Sequence, residues 1–254
     1  MLLSVADFIG VSKASACRIV KKVTSAIASL SPRYVKMYST NAEMNRAAEE
    51  FYRFARFPRV IGAIDCTLIK IQSPGREDGE IYRSRKGFCA LNVQTVSDAR
   101  LKIRNIVARW PGSCHDQTIF NNSSLKEAFQ NGMYGRYMLV GDSGYKINPY
   151  LMIPSHQQVQ TPAENLYNES IIRTRNVVER QYGVWKRRFP ILSLCMRLQI
   201  ETTMNVIVAT AVLHNMAIDM NESIPGEWTN PFNADEDEIE QDDDHYVESS
   251  TFSR

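Results

Sequence analysis

From Val60 to Ile71 the chain reads V-I-G-A-I-D-C-T-L-I-K-I, an apolar run with a carboxylate, Asp65, at its centre. Such a run reads as a buried strand, and Asp is depleted in strands. A buried carboxylate costs several kcal/mol unless something compensates it. The fold must therefore both cover this strand and provide for its charge.

The neighbouring segments supply the cover. Phe88 to Val96 and Ile103 to Trp110 also read as strands, joined by the tight turn Ser97-Asp98-Ala99-Arg100. A helix is expected from Asp116 to about Asn131, a fourth strand over Tyr137 to Gly141, and helices over Ile171 to Arg188 and Met204 to Met220. Asn41 to Phe57 reads as a helix stopped by Pro58. Three strands, a helix, a strand and a helix predict an α+β chain, a mixed sheet flanked by helices.

Residues 1–57 are expected to form a helical lobe. Ser12 can cap a helix from Lys13 to about Ile27. Ala6, Gly10, Ala16 and Ile19 have the spacing of a helix-turn-helix, truncated at its start, with Lys13, Arg18, Lys21 and Lys22 on its second helix. An ordinary helical hairpin fits the same residues. Residues 58–222 are the expected central domain, and 223–254 an acidic, disordered tail.

Charge separates the tail from the body. Of 30 basic residues only Arg254 lies beyond position 234, whereas nine of the 28 acids do, leaving residues 1–234 with 29 basic and 19 acidic groups, a net of +10. A body of that sign suits a polyanion, although a solvated basic surface gives the same count. The five cysteines show no C-x-x-C spacing, which argues against a disulfide framework or structural zinc and for a reducing compartment. The longest apolar stretch, Val206 to Ile218, is too short to span a bilayer.

Three further acids stand out. Asp142 closes the run Y-M-L-V-G-D, Asp116 follows the turn W-P-G-S, and Glu179 sits on the basic helix N-V-V-E-R-Q-Y-G-V-W-K-R-R. Each has a plain structural reading: Asp142 as a turn former, Asp116 as a helix N-cap, Glu179 as a helix acid paired with Arg175. Carboxylates from separate elements that converge also suit hard divalent cations such as Mg²⁺. Two such cations could stabilise both oxygens of a phosphodiester displacement. On the helix, Tyr182, Gly183 and Lys186 share a face with Glu179. Lys186 could reach a phosphate, Gly183 would permit close approach, and Arg180 and Arg187 add charge for a nucleic-acid backbone.

V-I-G-A-I-D-C-T, W-P-G-S-C-H-D-Q-T-I-F, L-V-G-D-S-G-Y and N-V-V-E-R-Q-Y-G-V-W-K-R-R-F-P-I-L occur in this order. The set resembles the PIF/Harbinger superfamily of DDE transposases, in particular the animal Harbinger transposase-derived nucleases, over roughly residues 55–220. A-T-A-V-L-H-N-M at 209–216 resembles the family's closing helix. The resemblance implies a ribonuclease-H-like fold and a divalent cation, Mg²⁺ or Mn²⁺. It implies Asp65, Asp142 and Glu179 as the catalytic triad, with Asp116 as a further metal-associated acid. It also implies DNA as the substrate, a Myb-like DNA-binding partner and a nuclear location. The chain departs from the family pattern at Cys66 and Leu68, where members commonly carry Gly and His. Nuclease action on DNA is the leading expectation. The alternatives are a domesticated DNA-binding protein with little or no cleavage, and an RNA-cleaving relative.

Overall fold

The computed structural model describes residues 10–75, 78–155 and 161–223. The expected acidic tail, and Ala6 of the expected helix-turn-helix, lie outside them.

Ser12 opens α1 (Lys13–Ala28), its side chain accepting from the Ser15 amide. After the short α2 (Ser31–Tyr34), Thr40 and Glu43 form a reciprocal capping box at the start of α3 (Asn41–Ala55), satisfying two amides that the first turn leaves free. Arg56 ends α3 in a left-handed conformation, φ 57°.

Strand β1 (Val60–Lys70) follows, then the short α4 (Asp78–Ile81), β2 (Ala90–Ser97) and β3 (Ile103–Pro111). The expected single helix over 116–131 is two, α5 (Asp116–Asn121) and α6 (Ser124–Gln130), because the Ser123 side chain accepts from the Lys126 amide and starts a new helix. Strand β4 (Met138–Val140) is followed by an unanticipated two-residue β5 (Leu151–Met152). Helix α7 (Pro162–Arg188) begins nine residues before the expected start, where Thr161 and Glu164 make a second capping box. A 3₁₀ turn (Pro190–Leu192) leads to α8 (Ile200–Asp219).

The sheet order is β3-β2-β1-β4-β5. β1 is central, antiparallel to β2 and parallel to β4, with Asp65 opposite Thr95. On one face Val60, Ala63, Ile69 and Val93 pack with Val178, Trp185 and Ile207 of α7 and α8. On the other Ile61, Ile64, Val96 and Leu139 pack with Phe120, Leu125 and Phe129 of α5 and α6. Helix α3 serves both layers, Phe51 in the first and Met44 in the second. This five-stranded mixed sheet between helices is the ribonuclease-H-like arrangement, as the sequence led us to expect.

Helix α8 is pinned as well as packed. His214 Nε2 lies 2.9 Å from the Leu101 carbonyl in the β2–β3 turn. Asn215 accepts from the Ile103 amide and donates to the Ile103 carbonyl, at 2.8 and 2.7 Å. The amide side chain thus mimics a paired strand residue at the start of β3. Helix α1 packs against α8. Among the described residues no helix is long and apolar enough to cross a membrane. All five cysteines are free thiols.

Candidate metal centre

Three elements deliver three aspartates to one point. Asp65 stands in the middle of β1, Asp116 opens α5, and Asp142 lies two residues past β4. One carboxylate oxygen from each lies within 4.8 Å of the others, and each residue is partly buried. Because β1 and β4 are parallel neighbours, the chain leaving β4 brings Asp142 beside Asp65.

Asp116 is not an N-cap: His115 holds that position, without a side-chain capping bond. Instead, buried Asn92 of β2 donates from Nδ2 to Asp116 Oδ1 at 2.8 Å and to the Cys114 carbonyl at 2.9 Å. Gly112 allows the approach of this turn, since a Cβ there would meet the Tyr82 and Ala90 carbonyls at 2.8 and 2.9 Å. Sequence reasoning missed Asn92. Its signal was a polar residue inside the apolar strand A-L-N-V-Q-T-V-S.

Asp65 is held firmly. Its Oδ1 accepts from the Cys66 amide at 2.7 Å. Its carbonyl accepts from Tyr182 Oη of α7 at 2.6 Å, and Thr95 Oγ1 lies 3.0 Å from both Tyr182 Oη and Gln181 Oε1. The departure at Cys66 is absorbed locally, its thiol lying 3.4 Å from Tyr145 Oη. Burial raises the Asp65 carboxyl to about 7; the Cys66 amide bond and Arg175 act in the opposite direction, while Asp142 and Asp116 push it further up.

A second buried acid shows what ordinary compensation looks like. Asp98 accepts from the Arg100 and Lys102 amides and from Arg104 Nε, all at 2.9 Å. Its charge is satisfied by protein groups. Asp65, Asp116 and Asp142 instead crowd one another, an arrangement that like charges disfavour. A hard divalent cation fits this all-oxygen donor set. Gly144 leaves room for it: a Cβ there would stand 3.1 Å from Asp142 Oδ1 and 3.5 Å from Asp116 Oδ2.

Glu179 is placed differently. It is half exposed on α7, outside the three-aspartate cluster, with Oε1 2.7 Å from Arg175 Nη2. Arg175 also reaches β1, with Nη1 3.8 Å from Asp65 Oδ2. Lys186, two turns beyond Glu179, donates to Thr67 Oγ1 at 2.6 Å, beside Asp65 on β1. Burial, then Lys86, lowers its pKa. Gly183 is exposed, and among the described residues nothing lies within 4 Å of a Cβ position there. Arg180 is partly buried and Arg187 exposed on the same helix. Lys13, Arg18, Lys21 and Lys22 are exposed on α1, whose packing partner is α8 rather than α7.

Residues 64–215 match the family described as DDE superfamily endonuclease. The chain belongs to this family. Over 246 residues, 96% of this chain and 69% of the relative, it is 31% identical to the proteins called "Putative nuclease HARBI1" in Bos taurus and Homo sapiens. It is 22% identical over 211 residues to "Protein ALP1-like" of Arabidopsis thaliana, covering 77% of this chain and 52% of that protein. No solved structure matches it significantly. The family places the chain among transposase-derived nucleases and implies use of a divalent metal, for which the three aspartates form a fitting donor set.

Proposed function

We propose that this protein is a divalent-cation-dependent nuclease acting on DNA phosphodiester bonds. The observation that carries the reading is the convergence of Asp65, Asp116 and Asp142 within 4.8 Å from three separate elements. These three would hold a first Mg²⁺ or Mn²⁺, and Glu179 would contribute to a second. A cation bound there would neutralise charge on the phosphate oxygens and lower the pKa of an attacking water. The chain's own groups do the positioning. Tyr182 and the Cys66 amide fix Asp65. Asn92 fixes Asp116, and the Gly144 amide donates to Asp142 Oδ1 at 3.0 Å. Lys186 supplies a cation for a phosphate next to Thr67, and Arg180 and Arg187 continue the basic path along α7.

The test is nicking of supercoiled plasmid DNA in Mg²⁺ or Mn²⁺, with EDTA and the Asp142→Asn variant as controls. Cleavage by the wild type, reduced at least about 100-fold in both controls, is the expected result. Equal cleavage by the variant would overturn the assignment. One observation favours a second reading, DNA binding without cleavage: Glu179 stands outside the cluster in an ion pair with Arg175. Retarded but uncut DNA would select it, and cleavage of RNA alone would select the RNA-cleaving alternative. A nuclear location and a Myb-like DNA-binding partner belong to the same proposal and rest on the family resemblance. Nuclear exclusion of a tagged chain would count against the first.

A further inference from the structure

On α7, Arg175 lies one turn before Glu179, and its side chain is only 21% exposed. An ordinary surface pair on a helix keeps both partners in solvent and contributes a few tenths of a kcal/mol. Arg175 is different because its guanidinium has two destinations. Nη2 lies 2.7 Å from Glu179 Oε1 and Nη1 lies 3.8 Å from Asp65 Oδ2. It therefore bridges the helix to the central strand, from the acid outside the cluster to the acid within it. Arginine suits this task, since its planar fork presents several donors in fixed directions to carboxylates.

The bridge has a consequence for cation binding. A guanidinium beside Asp65 offers that carboxylate the positive charge that a bound cation would otherwise offer. It also orients the Glu179 carboxylate toward itself. A cation approaching Asp65 on the α7 side must then displace Arg175 or share the carboxylate with a like charge, which Coulomb repulsion disfavours. Among the described residues neither Asp116 nor Asp142 has an ion-pair partner; Asp116 accepts from the Asn92 side chain and Asp142 from the Gly144 amide.

We infer that Arg175 is a built-in counter-ion that competes with the second cation, releasing Glu179 to the metal centre only when it swings away from Asp65. This inference rests on the proposed metal centre and assigns its regulation to a residue that coordinates nothing. The three-aspartate side takes the first cation with Arg175 in place. Loading of the Glu179 side requires the bridge to open. Arg175 is then a positioning residue, and its charge sets how readily the second site fills.

Binding of Mn²⁺ alone, without DNA, tests this by electron paramagnetic resonance of the free ion, backed by calorimetry. The full chain, Arg175→Gln, Arg175→Lys, Glu179→Gln and Asp65→Asn would be compared. The wild type is expected to bind one Mn²⁺ ion and then a weaker second. Arg175→Gln should tighten the second step at least about tenfold, the scale of one added or removed charge at close range. Arg175→Lys, which keeps the charge, should stay within about threefold of wild type. Combining Arg175→Gln with Glu179→Gln should abolish the gain. An unchanged second step in Arg175→Gln would overturn the inference and leave Arg175 as a helix ion pair. Weakened binding would also overturn it, making Arg175 a support for the site. If Asp65→Asn binds Mn²⁺ as the wild type does, the metal centre itself fails, a result distinguishable from either. Circular dichroism and urea midpoints for each variant would separate misfolding from loss of binding.

Discussion

Neutralising Asp116 should make the metal-free protein more stable and the metal-loaded protein less so. Asp116 has a carboxylate oxygen within 4.8 Å of oxygens on both Asp65 and Asp142. Two unit charges at that separation repel by about 3.5 kcal/mol at an effective dielectric constant of about 20. That figure is for one pair, and it is reduced because each charge is shared with a more distant oxygen and the residues are only partly buried. A net gain of about 1–3 kcal/mol is a reasonable expectation for Asp116→Asn, or roughly 2–10 °C in Tm for a chain of this size. The asparagine oxygen can still accept from Asn92, so the α5 turn need not move. Measurement at pH 8 keeps Asp65 largely ionised, its carboxyl being raised to about 7. The assay is thermal unfolding in EDTA and in a Mn²⁺ series. The wild type should rise by about 2.7 kcal/mol when the free ion reaches 100 times its Kd, and the variant should rise much less. A variant less stable than wild type in EDTA, or with an equal Mn²⁺ response, would refute the crowding argument.

Other perturbations test the frame around the centre. Asn215→Leu should lower the urea midpoint by the equivalent of about 3–5 kcal/mol with an unchanged m value, because it strands the buried Ile103 amide and carbonyl. Fully buried His214 has its pKa lowered to about 4, chiefly by burial. The unfolded chain binds that proton near 6.5, so the contribution is complete above 6.5 and is lost as pH falls through about 4, amounting to about 3 kcal/mol. Asp65, raised to about 7, titrates in the same window with the opposite sign, so the His214 contribution is read as the difference in urea stability between wild type and His214→Gln across pH 4–7, which should grow as pH rises. Gly144→Ala should weaken Mn²⁺ binding severalfold while leaving stability in EDTA nearly unchanged, since its Cβ would crowd Asp142 and Asp116. Calorimetric titration would read this, and unchanged binding would place the cation elsewhere.

The main strands were legible because they are long apolar runs that a buried sheet requires, and Val60 to Ile71 was the clearest. Strand β5 was not, since two residues carry no periodicity and its place depends on β4. The early start of α7 had a readable signal, T-P-A-E with Pro162 at the first position. The polar residues that follow, with Leu166 64% exposed, hid it from any search for an apolar face. The four acids were also legible individually. Their geometry was not, because convergence depends on the parallel register of β1 with β4 and on the turn that Gly112 permits. The sequence ordering placed Glu179 with Asp65 and Asp142 and left Asp116 at the margin. The structure gathers Asp116 with the other two aspartates and leaves Glu179 on its helix beside Arg175. Local pattern could not separate an aspartate that begins a helix as a cap from one held by Asn92 across the sheet.

The most direct measurement is the anomalous scattering of crystals soaked in Mn²⁺. A peak bounded by the carboxylates of Asp65, Asp116 and Asp142, absent in Asp65→Asn crystals, is the predicted result. A saturating soak that leaves this position empty would contradict the metal centre on which the nuclease reading depends.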